Sequence, residues 1–403
     1  MNKVVVTGLG VVSSIGTGKK AFWTNLIKGT NGLSKVERFD TSEYNRHIAG
    51  EIKNFSPLEY IPKSKIKFIG KAAQYAIAAV KHALVDANLS DLDFPAKKIG
   101  VFVGTTMTET SALDPSAENY INETWNKITS SQILNIFSGS IAQTIGSFFK
   151  FKGINFLMPT ACAAGNYALG YAYDLIRRGE IDLAIVGGAD SLSRVAFQGF
   201  QRLYAMAPEK CSPFDLERNG MMLGEGAGIL ILESEQSALR RKTGIYSEIL
   251  GYGLSCDAHH MTIPNKHGIS KALAKALKNS NLKPEQIDYI SAHGTGTKQN
   301  DMNESAAVKE VLGEYAKKVS MSSIKSMLGH CMGAASAIEA LTCCLVLEQG
   351  IMPPTINYNT PDPDCDIDCV PNKAGKKEVN IVINNGFAFG GNNCCVAFKK
   401  HTE

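Results

Sequence analysis

Met158-Pro159-Thr160-Ala161-Cys162-Ala163-Ala164-Gly165-Asn166 is the stretch from which the architecture is read. Ahead of it, Ile154 to Met158 forms an apolar strand pattern; behind it, Ala163–Arg178 is a helix of small and apolar residues that stops at Gly179. The succession recurs further on. Val319–Ser323 reads as a strand, Lys325–His330 as a loop, and Cys331–Gln349 as a second apolar helix closed by Gly350 and Pro353-Pro354. Helices that are apolar nearly all round belong in the middle of a layered structure, and a terminal Gly is an ordinary helix stop.

Working outward, strands are expected at Lys3–Thr7, Ile99–Gly104, Leu183–Gly187, Gly228–Leu232, Ile245–Leu254, Val379–Ile383 and Cys395–Phe398. Helices are expected at Lys67–Ala87, Ile133–Phe148, Ile269–Lys278 and Asp301–Leu312. Strands interleaved with buried and amphipathic helices make an α/β protein. A charged helix, Ser234–Lys242, lies between two strands and suggests a division into residues 1–240 and 241–403. Segments Glu109–Ser131 and Val195–Asn219 look like surface caps.

Cys162 stands where the first buried helix begins. A thiol there faces unpaired backbone N–H groups and the positive end of the helix dipole, which favour the thiolate and can also receive an oxyanion. The alternative is a small buried hydrophobe. His293 in Ser291-Ala292-His293-Gly294-Thr295 and His330 in Lys325-Ser326-Met327-Leu328-Gly329-His330 each follow a strand pattern, where loops tend to carry catalytic groups. Asn385-Gly386-Phe387-Ala388-Phe389-Gly390-Gly391-Asn392-Asn393 reads either as a hairpin turn or as a tight loop aiming backbone N–H groups into a pocket.

Composition narrows the field. A chain of 403 residues, 44% hydrophobic, buries a large core and exceeds the usual single-domain size. A net charge of +4 argues against nucleic-acid binding. The ten cysteines lack metal-ligand spacing and read as reduced cytosolic thiols. The N-terminus enters a strand at once, so no secretory signal is expected, and no uninterrupted apolar run approaches the ~20 residues of a membrane span.

Taken together these segments resemble the β-ketoacyl-acyl carrier protein synthases, specifically the elongating type similar to synthase II. The resemblance is carried by Val4-Val5-Val6-Thr7-Gly8-Leu9-Gly10, Thr160-Ala161-Cys162, Gly224-Glu225-Gly226-Ala227-Gly228 and Ala292-His293-Gly294-Thr295. It continues through Lys325–His330 with Gly333-Ala334-Ala335, and Phe387 to Asn393, in family order over essentially the whole chain. It implies the thiolase fold, two pseudo-symmetric halves in a five-layered αβαβα arrangement, as a homodimer. It also implies a decarboxylating Claisen condensation with no metal or organic cofactor. Cys162 would take an acyl group from acyl carrier protein, with its own N–H and that of Phe389 as the oxyanion hole. His293 and His330 would stabilise the enolate of a malonyl-carrier thioester. Lys325 and Glu339 would form an ion pair fixing the His330 loop. Phe389 would also gate the site, and Met107, Phe197 and Phe200 would border the acyl tunnel, although each aromatic alone reads equally as core. Lys63, Lys65, Lys67 and Lys71, with Arg202, would form a basic docking face for an acidic carrier protein.

The pattern departs from synthase II at Asn392 (usually Thr), Gly386 (usually Ser), Ala388 (usually Gly), Ser291 (usually Asn) and the polar loop Thr105-Thr106-Met107-Thr108-Glu109, which suggests a specialised lipid, polyene or polyketide synthase. Three other readings compete. Gly8-Leu9-Gly10 hints at dinucleotide binding, but Ser13 replaces the third Gly of that fingerprint. A catalytically silent chain-length factor would not need Cys162 and both histidines. A thiolase would carry a second reactive Cys near its C-terminal end, where Cys394 and Cys395 instead read as buried.

Overall fold

The computed structural model describes residues 1–89, 99–137 and 139–402. Ten strands carry the fold: β1 Val4–Ser13, β2 Ile99–Gly104, β3 Asn155–Met158, β4 Leu183–Asp190, β5 Gly226–Ser234, β6 Ser247–Cys256, β7 Tyr289–Ser291, β8 Ser320–Ser322, β9 Ile381–Phe387 and β10 Asn392–Lys400. The first five pair in the order β3-β2-β4-β5-β1, and the second five in the order β8-β7-β9-β10-β6. These are the same path twice. In each, the first three neighbours run parallel and the last two pairings are antiparallel. The two sets meet where Val4–Val6 of β1 pairs with Ser247–Ile249 of β6. This is the thiolase fold, built from two pseudo-symmetric α/β halves.

The helices complete five layers. Helix α1 (Lys71–Asp86) covers β1 and β5 from outside, and its alanine-rich face forms one hydrophobic core with them. Between the two sheets lie α2 (Ala164–Arg177) and, beyond a cap helix α3 (Arg194–Arg202), the second-half helix described below. Helices α4 (Lys266–Asn279) and α5 (Lys298–Leu312) cover the other outer face. The central partner of α2 is α6 (Ala335–Gln349), buried at 13 of its 15 positions. The stretch Met332–Gln349 is apolar enough to cross a membrane by composition, but 89% of it is buried inside the fold.

Two expectations need correction. Strand β1 runs to Ser13, twice as far as expected, because Gly8 and Gly10 are strand residues. A Cβ on either would fall 2.4 Å and 1.9 Å from carbonyl oxygens of Ala83 and Ala79 on α1, so these glycines bring helix and strand into contact and do not cradle a phosphate. The expected helix Ile133–Phe148 is two helices, Ser130–Ile136 and Ser140–Phe149; Gly139 adopts φ +92° at the N-cap of the second, and Ser138 lies outside the described residues. The ten cysteines are free thiols, with Cys394 and Cys395 buried.

Candidate active site

Cys162 occupies a single 3-10 turn, Ala161–Ala163, at the head of α2, with Ala161 held at φ +49°. The second half repeats that turn at Met332–Ala334 ahead of α6, with Met332 at φ +53°, so Gly333 is the counterpart of Cys162. The two helix heads touch: the Asn166 N–H donates to Ser336 Oγ at 3.2 Å.

His293 lies just beyond β7. Its backbone N–H and that of Gly294 donate to the two carboxylate oxygens of Glu304 on α5, each at 2.8 Å. Asn385 Nδ2 donates to the same carboxylate at 3.0 Å. His330 follows the short helix Lys325–Leu328. Its N–H donates to the Met222 carbonyl at 2.7 Å and its own carbonyl accepts from Gly224 N–H at 2.9 Å, which gives the Gly224-Glu225-Gly226 segment its place in the site.

The two imidazoles meet at ring centroids 5.4 Å apart, at 81°. With Cys162, Phe387, Phe389 and Phe200 they line one cavity of about 450 Å³. Burial holds both rings neutral, with pKa values well below the ordinary range, and the Lys325 charge pushes the same way. The tautomers follow. Met332 N–H donates to His330 Nδ1 at 3.0 Å, so the proton of neutral His330 sits on Nε2. The Lys325 ammonium lies 3.5 Å from His293 Nδ1, which leaves Nε2 as the donor there also. Each ring therefore presents an N–H rather than a lone pair.

Lys325 is buried. It pairs with Glu339 and donates to the His293 carbonyl at 2.6 Å. Its side chain therefore braces the His293 loop as well as tying the short helix that leads into His330 to α6; the His330 backbone is held further by Met222 and Gly224. Burial raises the Glu339 carboxyl to about 7 against the pull of Lys325.

The thiol also differs from expectation. Burial pushes Cys162 up to about 11, opposed by the Lys325 charge and by the N–H groups of Phe389 and of Cys162 itself. Desolvation is the largest influence on the sulfur, against the helix-head N–H groups that the sequence reading took to favour the thiolate. Backbone N–H groups beside a sulfur are the kind of donors from which an oxyanion hole is built. The segment around Phe389 is a hairpin turn, since β9 and β10 form an antiparallel hairpin and Phe389–Gly391 is its turn, and Phe389 lines the cavity.

The remaining candidates separate. Phe200 lines the cavity, its ring 6.0 Å from that of Phe389. Phe197 is fully buried against Phe39 and Tyr44 and is core, not pocket. Met107 packs in the same hydrophobic cluster without reaching the cavity lining. Lys63, Lys65 and Lys67 are exposed, whereas Lys71 is half-buried over Phe55 and Tyr75 with its pKa lowered by burial and Arg38, so it does not belong to the docking face. Arg202 is exposed beside Leu203 and Tyr204 at the cavity rim.

Sequence reasoning passed over the buried carboxylates that hold the loops. Glu304 is one. Asp190 is another, accepting from Thr105 Oγ1 at 2.7 Å and from the N–H groups of Thr106, Met107 and Gly333 at 2.8, 2.9 and 2.6 Å. The available signal was a carboxylate closing an otherwise apolar strand or sitting on the inner face of a helix, where a buried charge needs several donors.

A buried cysteine at a helix head, two neutral imidazoles and a backbone N–H pair in one cavity of a doubled α/β fold define a thiolase-fold condensing enzyme. The chain belongs to the β-ketoacyl synthase family: residues 1–238 match the model of the beta-ketoacyl synthase N-terminal domain and residues 246–359 that of the C-terminal domain. It is 37% identical to the 3-oxoacyl-[acyl-carrier-protein] synthase 2 of Synechocystis sp., over 99% of this chain and 98% of that one. The synthase 2 of Staphylococcus aureus matches at 37% with the same coverage. Among solved structures, the ishigamide ketosynthase/chain length factor superposes with a TM-score of 0.96 at 43% identity, covering 100% of both chains. A type II polyketide-synthase ketosynthase, bound to the hexaketide and in complex with its acyl-carrier protein, superposes at 0.90 with 33% identity, over 99% of this chain and 100% of that one.

Proposed function

We propose that this protein is a cytoplasmic β-ketoacyl-acyl carrier protein synthase that condenses an acyl group held on Cys162 with malonyl-acyl carrier protein, giving a 3-oxoacyl-acyl carrier protein. In the first stage Cys162 sulfur bonds to the carbonyl carbon of an acyl-carrier thioester. The carbonyl electron pair moves onto oxygen, where the N–H groups of Cys162 and Phe389 receive it. The oxyanion collapses, the carrier thiolate departs, and the thiol proton passes to it. In the second stage the malonyl C–C bond breaks, carbon dioxide leaves and its electron pair becomes an enolate. The Nε2–H groups of His293 and His330 stabilise the enolate oxygen, and each such donor is worth ~3 kcal/mol of barrier. The enolate carbon then bonds to the acyl carbonyl and Cys162 sulfur is released.

The observation that carries this reading is the convergence of Cys162, His293 and His330 on one cavity from three distant parts of the chain. On this reading the chain divides at 240/241 into a half that carries the sulfur and a half that carries both imidazoles. Lys63, Lys65, Lys67 and Arg202 supply the carrier-docking charge. The exposed Ile154, Phe156 and Tyr171 at edge strand β3 favour a dimer through that face. The 43% identity to a ketosynthase/chain length factor, with the likeness to a type II polyketide-synthase ketosynthase, favours a specialised role such as polyketide synthesis, with a related chain as an alternative partner.

The test is mass spectrometry of the intact protein after incubation with a panel of acyl-carrier proteins, then with malonyl-carrier protein. The expected result is an acyl adduct on the Cys162 peptide, absent from Cys162→Ala, that is discharged with release of carbon dioxide. An unlabelled Cys162 across short and long acyl groups would reject the reading and favour a silent partner subunit.

A further inference from the structure

The two oxyanion donors belong to opposite halves. The Cys162 N–H heads α2, and the Phe389 N–H sits in the turn of the β9–β10 hairpin. No single element fixes the distance between them. Asn166, fully buried one helical turn after Cys162, spans the gap. Its Nδ2 donates to the Asn384 carbonyl at 3.2 Å and to the Cys394 carbonyl at 3.1 Å, one on each strand of that hairpin. Its Oδ1 accepts from Asn384 Nδ2 at 2.7 Å, and Asn384 Nδ2 also donates to the Ser336 carbonyl at 2.8 Å. Both amide hydrogens and the amide oxygen of Asn166 are thereby used. The reverse orientation of the amide would set oxygen against two carbonyls, so the network fixes it.

Gly386 adds an independent observation. A Cβ there would stand 3.1 Å from Asn166 Nδ2 and 3.3 Å from both Ala163 Cα and Ser336 Cβ. The synthase II pattern carries Ser at this position. A side chain there would press on the Asn166 amide, and glycine leaves that amide its place.

We propose that Asn166 is a positioning residue: it sets the register between the Cys162 and Phe389 N–H groups and so the stabilisation of the tetrahedral oxyanion during acyl loading. The inference rests on the function proposed above. A buried amide that tied the halves together for stability alone would affect every reaction of Cys162 alike. One that aligns the oxyanion hole would affect only reactions that develop an oxyanion.

Two reactions of the same sulfur separate these cases. Loading from an acyl-carrier protein forms an S–C bond through an oxyanion and expels the carrier thiolate. Alkylation by iodoacetamide forms an S–C bond and expels iodide with no oxyanion. Both rates are to be measured by mass spectrometry on the full-length protein for wild type, Asn166→Leu and Asn384→Ser. The serine variant removes the amide that meets Asn166 and leaves the backbone carbonyl in place. Expected are a loading rate down about 10- to 100-fold in Asn166→Leu, a smaller fall in Asn384→Ser, and alkylation within about twofold of wild type in both. Loading and alkylation falling by the same factor, or loading left unchanged, would overturn the inference, and Asn384→Ser decides alone if Asn166→Leu does not fold. A wild type that alkylates but loads no acyl group would remove the proposed function and this inference with it.

Discussion

Lys325 holds His293 at two points: its ammonium donates to the His293 carbonyl at 2.6 Å and lies 3.5 Å from the ring Nδ1. A single cation thus fixes the position of the loop and the tautomer of the ring, while its charge is neutralised by Glu339 behind it.

Removing that cation has two consequences. Lys325→Ala leaves Glu339 buried and alone, which should cost about 3–5 kcal/mol of unfolding free energy. Denaturant titration should show most of that recovered in the double variant Lys325→Ala/Glu339→Leu. In single-turnover assays Lys325→Ala should slow the malonyl stage much more than Cys162 loading. Equal losses at both stages would contradict the arrangement.

Desolvation of Cys162 makes a pH prediction. With the thiol raised to about 11, the thiolate fraction of the free enzyme climbs through the whole accessible range. The iodoacetamide alkylation rate at Cys162 should therefore rise about tenfold per pH unit from roughly pH 6 to 9. A plateau reached near neutrality would mean that the helix head, not burial, sets the pKa.

The neutral histidines make a second. Their folded pKa values lie well below the ordinary one, so below roughly pH 6.5 the unfolded chain binds protons that the folded chain does not. Their contribution is present above that pH and is lost on acidification. Glu109 and Glu339, raised to about 7, and Asp190, raised to about 6, act with the opposite sign, since what they contribute is lost as pH rises. The comparison is accordingly between proteins. His293→Asn/His330→Asn should lose less stability than wild type between about pH 7.5 and 5.5 by denaturant midpoint, and equal losses would count against buried neutral rings.

Phe200 lines the cavity 6.0 Å from the Phe389 ring, and on the proposed function it borders the acyl chain. Phe200→Trp fills that space and should reduce loading of long acyl groups by about tenfold while short ones change by less than about twofold. A uniform decrease across chain lengths would place the chain elsewhere.

The three residues that meet in the cavity were legible as candidates because Cys162, His293 and His330 each stand where a hydrophobic strand pattern breaks into small residues. Periodicity also located both central helices, since α2 and α6 are apolar on nearly every face. Illegible were quantities set by tertiary burial. The dipole argument at Cys162 was sound locally, yet desolvation by both halves exceeds it. Lys325 is near His330 in sequence and touches His293 in space, and the second contact could not be read from the chain. Phe197 and Phe200 lie three residues apart on one helix, and which one faced a cavity depended on Phe39 and Tyr44, far away in the chain. Asn166 gave no signal because a polar side chain at helical spacing looks solvated until a partner arrives from another element.

Gly333, the counterpart of Cys162, cannot bear a side chain: a Cβ there would lie 2.4 Å from the backbone of Thr105 in the opposite half. What is a workbench on one side of the pseudo-dyad is a keystone on the other. Duplication has therefore left only one of the two helix heads able to carry a sulfur, and on the function proposed above the extender unit must come to it still tethered to its own carrier.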